Sequence, residues 1–137
     1  MYVKEGIIAA ELVLGGGDLV TECCGVTIPW GRGEEIKLVL VYRPPEIPGS
    51  PADGGNTDML CSLLRSLGGR VVVLGDFNLP KTDWARGWST CAGERMVVDT
   101  VGDMFWHQLV TEPTHRLGNT LDLCLTSSLE LVAGWRL

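Results

Sequence analysis

RVVVLGDFN, residues Arg70 to Asn78, is an apolar strand that runs into a glycine and releases an Asp and an Asn where it stops. Val71, Val72, Val73 and Leu74 form an unbroken apolar run, which predicts a strand covered on both faces, as in the interior of a packed sheet. Gly75 lets the backbone turn without a side-chain clash, so Asp76 and Asn78 are expected beyond the carboxyl end of the strand, where open α/β sheets form their clefts. Asp and Asn also cap turns by bonding their own backbone. Taken alone, the stretch leaves chemistry and turn capping equally open.

Working outward, Met59, Leu60, Leu63, Leu64 and Leu67 fall on one helical stripe, with Asn56, Thr57 or Asp58 as N-cap candidates and Gly68-Gly69 as the stop. Val20 to Ile28 and Ile36 to Tyr42 read as two strands joined by the turn-rich linker Pro29 to Gly33. Arg43-Pro44-Pro45 cannot continue a central strand, because proline has no donor for the ladder, and Gly49 to Asn56 reads as loop. Downstream, Lys81 to Gly93 is polar and irregular, with Trp84 and Trp88 but no period. A second helix is expected from Glu94 to Trp106, since Val97, Val101, Met104 and Phe105 recur on one face despite Gly102. Gln108 to Thr111 and Leu121 to Thr126 complete the strands, the latter with Asp122 among apolar neighbours. Strand, helix, strand is the alternation of an α/β layered protein. No repeat or linker divides residues 1–137, so one domain is expected.

A chain of 137 residues, 45% hydrophobic and 20% charged, has a globular composition. Its net charge of −6 argues against nucleic-acid binding through a broad basic face, because such affinity rests on Lys and Arg neutralising phosphates. A divalent ion would supply locally the positive charge that the chain lacks, so acidity leaves room for a metallonuclease. The apolar stretch Ile7 to Leu14 is interrupted and too short for a membrane span, and no signal-peptide pattern precedes it, which predicts an intracellular protein. Cys23, Cys24, Cys61, Cys91 and Cys124 lack paired zinc spacing and are expected as buried reduced thiols. His107 and His115 belong to different elements, which argues against a histidine metal cluster.

Four segments and a Trp, in order, carry a family likeness: VYRPP at Val41 to Pro45, LGDFNLP at Leu74 to Pro80 with the Trp soon after, EPTHR at Glu112 to Arg116, and NTLDLCLTS at Asn119 to Ser127. They resemble the endonuclease domain of non-LTR (LINE-type) retrotransposons, a branch of the endonuclease/exonuclease/phosphatase superfamily that includes deoxyribonuclease I. The resemblance implies a four-layer α/β sandwich, here partial, with two mixed, mainly antiparallel sheets flanked by helices. It implies magnesium-dependent hydrolysis of DNA phosphodiesters, nicking a target for retrotransposition, in a chain fused to a reverse transcriptase.

By the same resemblance Asp76 orients or deprotonates the attacking water, and Asn78 holds the scissile phosphate or the metal shell. Tyr42 points its hydroxyl at the phosphate, Thr114 and Arg116 contact DNA, and Asp122 orients the catalytic histidine. Elementary chemistry asks for such groups: an activated water, neutralised phosphate oxygens and a stabilised leaving oxygen. Each also has a plainer reading. Tyr42 closes a strand before a proline turn, Asp122 is a buried acid on a backbone donor, and Thr114 and Arg116 belong to an exposed loop.

The resemblance further implies an Asn and a metal-binding Glu ahead of this sequence and a Ser-Asp-His motif beyond it. Neither has a counterpart here, so the expectation is a fragment or domesticated remnant that is inactive or weakly active alone, with uncovered core faces. A binding module without catalysis is the alternative. A phosphatase or sphingomyelinase of the same superfamily is a further one, which EPTHR and NTLDL speak against.

Overall fold

The computed structural model of the chain describes residues 4–14, 22–47 and 55–133. Its element order is β1 (Ala10–Glu11), β2 (Glu22–Trp30), β3 (Glu34–Tyr42), α1 (Gly55–Ser66), β4 (Arg70–Asp76), β5 (Thr82–Asp83), β6 (Trp88–Ser89), α2 (Ala92–Asp103), β7 (His107–Gln108) and β8 (Asp122–Thr126). A 3-10 turn, Leu129–Val132, follows β8. Six strands form one mixed sheet in the order β1-β2-β3-β4-β8-β7, and β5 and β6 form a separate two-stranded ribbon. The β3–β4 pair is parallel because α1 carries the chain back between them, whereas β2–β3 and β4–β8 are antiparallel.

Side-chain alternation along the strands divides the sheet into two unlike faces. Odd-numbered Val39, Val41, Val71, Val73, Leu123 and Leu125 pack beneath α1 and α2, joining Leu60, Leu64, Val97 and Val101 in the main core. Even-numbered Ile36, Val72 and Cys124 form a smaller cluster with Leu131, against which the half-exposed Leu38, Leu74, Leu109 and Val110 pack. Among the described residues both α-helices cover the odd face. The even face is covered at Ile36, Val72 and Cys124 and half-open around Leu38 and Leu74, where apolar surface is left to invite association.

Gly75 makes the central pairing possible. Its φ is +145°, and a Cβ built on it would lie 1.8 Å from the carbonyl oxygen of Val41, its partner across β3–β4. Only a residue without a side chain permits strands to meet this closely. The glycine therefore acts inside the strand and does not turn the chain out of it, contrary to the expectation from sequence. Leu74 is likewise only half-covered, because it faces the open side.

Other boundaries shift for physical reasons. β2 runs through Pro29 and Trp30 and turns only at residues 31–33; Pro29 is tolerated because β1 pairs with β2 at Thr27 and Val26, leaving that end of the strand an edge. Asn56, Thr57 and Asp58 lie inside the first turn of α1, not ahead of it. Residues 81–93 contain the β5–β6 ribbon, too short to register as a period. Helix α2 ends at Asp103, three residues before the expected Trp106, and Phe105 is exposed with a positive φ. The strand expected over Gln108–Thr111 is reduced to His107–Gln108. Val20, Thr21 and residues 49–54 of the expected loop lie outside the described residues.

All five cysteines are free, but only Cys61 and Cys124 are buried and Cys24 is exposed, which corrects the expectation of uniform burial. Burial pushes the Cys124 thiol up from its usual range. In native chain at pH 8, Cys24 is expected to react with a maleimide first and Cys61 and Cys124 only after denaturant is added, as peptide mass mapping checks. Gly75→Ala is expected to cost about 4 kcal/mol or abolish folding. Gly69→Ala, at φ +84° with open space around it, should cost only about 1 kcal/mol, both read by urea unfolding.

Candidate active site

The sheet register brings three of the sequence-identified residues into one row. Tyr42 pairs with Asp76 across β3–β4, and Asp76 pairs with Asp122 across β4–β8. Direct partners on neighbouring strands project from the same face, so a phenol and two carboxylates stand side by side at the end of the open, even-numbered face. Tyr42 is 45% exposed, Asp76 is half-buried and Asp122 is exposed. The plain reading of Asp122 as a buried acid is therefore wrong. As the first residue of its strand it escapes the apolar neighbours that follow it.

Asn78 is added by a bend rather than by the ladder. Its φ of 47° is left-handed, a conformation that Asn adopts more readily than most residues. Its backbone N–H donates to Asp76 Oδ1 at 3.0 Å, and its side-chain Nδ2 donates to the carbonyl of Arg43 at 2.7 Å. Turn capping engages only one oxygen of Asp76: Oδ1 holds the bend, while Oδ2 has no protein partner among the described hydrogen bonds. Phe77, fully buried between the two polar residues, donates its N–H to Leu121 O at 2.9 Å and fixes the turn to the chain entering β8.

Thr114 is tied to the same strand. Its Oγ1 accepts from the amides of Leu121 and Asp122, each at 3.0 Å. With both lone pairs engaged, the hydroxyl has only its proton left to give, which makes it a directed donor on an exposed loop. The loop is closed by the N–H groups of Thr114 and His115 donating to Asn119 O at 3.0 and 2.9 Å. His115 Nδ1 accepts from Leu117 N at 3.3 Å, and Arg116 stands exposed at the tip. Clefts of about 500 and 600 Å³ flank this loop; Thr82, Trp84 and Asn119 line the first, and Thr114, Val110 and Cys124 the second.

Sequence reasoning missed the supports. Arg43 is 1% exposed, and its guanidinium reaches four acceptors: Phe77 O at 3.3 Å, Asn78 O at 3.0 Å, Thr57 Oγ1 at 3.0 Å and the Glu46 carboxylate. Glu94, buried in the first turn of α2, accepts from Lys81 N at 2.9 Å and Thr82 Oγ1 at 2.8 Å, anchoring the β5–β6 ribbon at a helix end that favours negative charge. In the sequence Arg43 only opens the Arg43-Pro44-Pro45 stretch and Glu94 only begins the expected second helix. Apart from Glu46, three residues after Arg43, and Ser89, five before Glu94, their partners lie 14 to 35 and 12 to 13 residues away, beyond any local pattern.

The mixed sheet, the two helices on one face and the row of Tyr, Asp and Asp at its strand ends define a deoxyribonuclease I-like α/β fold. The model of the Endonuclease/Exonuclease/phosphatase family matches residues 1–137, and the chain belongs to that family. Among solved structures it is similar in fold to the endonuclease domain of TRAS1, a telomere-specific non-LTR retrotransposon. The TM-score is 0.61 at 21% identity, covering 96% of this chain and 59% of that one. This chain thus spans less than two thirds of that neighbour's length. Comparison with curated proteins finds no match.

Among the described residues no group of three or more His, Cys, Asp and Glu side chains converges to hold a metal ion. What the row does offer is two carboxylates directly opposite each other, a like-charge pair that destabilises a sheet unless a cation lies between them. Asp122→Asn is accordingly expected to stabilise the metal-free chain by about 0.5 kcal/mol in urea unfolding. Thr114→Val is expected to speed amide hydrogen exchange at Leu121 and Asp122 by about fivefold, which Thr114→Ser should largely restore.

Proposed function

We propose that the chain is the Asp76-bearing part of a metal-dependent DNA endonuclease of the non-LTR retrotransposon type, weakly active by itself. The observation that carries this reading is the single row of Tyr42, Asp76 and Asp122, with Asn78 held beside it by Asp76. Hard oxygen donors from Asp76 and Asp122, with the side-chain Oδ1 of Asn78, suit a hard divalent ion such as Mg2+, which is commonly held by one or two carboxylates with water and phosphate oxygens completing its shell. Bound there, the ion would supply positive charge against the phosphate oxygens.

The chain's own residues divide the remaining work. Asp76 Oδ2, free of protein partners, accepts a proton from the attacking water, a contribution of about 10²–10⁴-fold for a well-placed base. The Tyr42 hydroxyl, exposed at the end of β3, donates to a non-bridging oxygen. Asn78 keeps one amide proton after serving Arg43 and gives it to the same phosphate. Asp122 is suited to orienting a basic partner, and Thr114 and Arg116 supply phosphate contacts beside the row. Local cations and directed donors, not net charge, would then hold DNA.

A second reading rests on the open even face, where Leu38 and Leu74 are half-exposed: a non-catalytic domain that binds a protein through its sheet. Incubating supercoiled plasmid with the chain and Mg2+ separates the two. Slow nicking that stops with EDTA and falls by about 10²-fold or more in both Asp76→Ala and Asn78→Ala is expected. Nicking that survives both variants contradicts the site, and no nicking at any chain concentration favours the binding module.

A further inference from the structure

We propose that Arg43 is the positioning residue of this site, the group that holds Asn78 in its left-handed bend and so aims Asp76 along the row. The inference rests on the reading of Asp76 and Asn78 as site residues. Its basis is a closed ring of contacts between two short segments. The Arg43 backbone N–H donates to Asp76 O at 2.8 Å, and the Arg43 carbonyl accepts from Asn78 Nδ2 at 2.7 Å. The guanidinium then returns to the same turn, with Nη1 donating to the carbonyls of both Phe77 and Asn78. Every residue from Asp76 to Asn78 is therefore tied to Arg43.

The other nitrogen, Nη2, faces away from the turn to the Glu46 carboxylate and Thr57 Oγ1, which themselves share a hydrogen bond of 3.1 Å. These partners fix the guanidinium plane, because a planar fork with two occupied prongs loses its rotational freedom. Thr57 belongs to the first turn of α1 and Glu46 to the segment leaving β3, so the site turn is braced against the helix and not only against its own sheet. This arrangement is costly for a part that merely fills space. Among the described residues Arg43 is one of the largest fully buried side chains, and its Nε has no partner there. A buried ion pair adds little net stability compared with an apolar side chain of similar volume. What the guanidinium adds is direction: it satisfies two successive carbonyls whose alignment requires the strained φ at Asn78.

Amide hydrogen exchange by NMR tests this without metal or DNA, so its outcome is independent of whether the chain nicks. In Arg43→Met the Asn78 amide, bonded to Asp76 Oδ1, is expected to exchange about tenfold faster or more, while the Val71 to Leu74 amides change less than about threefold. Arg43→Lys, with a point charge in place of the fork, should fall between the two. If the Met variant does not fold, the Lys variant carries the same selective comparison. An unchanged Asn78 amide in a folded variant overturns the proposal, and so does acceleration spread evenly through β4, which would mark a purely structural residue.

Discussion

Everything at the site depends on how closely β3 and β4 approach at Val41 and Gly75. No side chain fits between them, since a Cβ on residue 75 would overlap the Val41 carbonyl. The close pairing continues by one residue to Tyr42 and Asp76, which end their strands together. Because β8 pairs with the other edge of β4, the same register sets Asp122 beside Asp76. One absent methyl group thus decides whether the side chains of Tyr42, Asp76 and Asp122 share a row. A larger residue would displace β3, and Tyr42 with it.

The fold was largely legible because its core elements obey simple periods. The continuous Val71 to Val73 run marked the buried strand, the Leu60–Leu64–Leu67 stripe marked α1, and alternation marked β8. Resemblance supplied Tyr42, Asp76 and Asp122, and the sheet brings all three together; Thr114 is joined to Asp122 through a backbone bond rather than side by side with it. Arg116 remains at a loop tip. What could not be read were contacts between residues far apart in sequence. Arg43 and Glu94 have ordinary local surroundings, and nothing nearby signals that the first is buried among four acceptors or that the second anchors a ribbon. The freedom of Gly75 is legible in the sequence but its use is not, since a close strand approach leaves no mark on the sequence of one strand alone.

Two features run against stability and are informative for that reason. Asp76 and Asp122 oppose each other with like charge, and the even face of the sheet leaves Leu38 and Leu74 half-covered. Sheets tolerate such conflicts where something else is to be bound. In the proposed site a cation would answer the first, and a second apolar layer would answer the second. The two meet at the same place, because the row of carboxylates lies at the rim of the open face, where any layer covering Leu38 and Leu74 would form the other wall of the site.

Paramagnetic broadening by Mn2+ in a 15N-labelled chain tests most directly whether the row is a cation site. The amides of Tyr42, Asp76, Asn78 and Asp122 are expected to broaden first, and Asp76→Ala should abolish the effect. Broadening centred instead on the acidic Glu34 and Glu35 at the far end of β3, or broadening indifferent to Asp76→Ala, would contradict it.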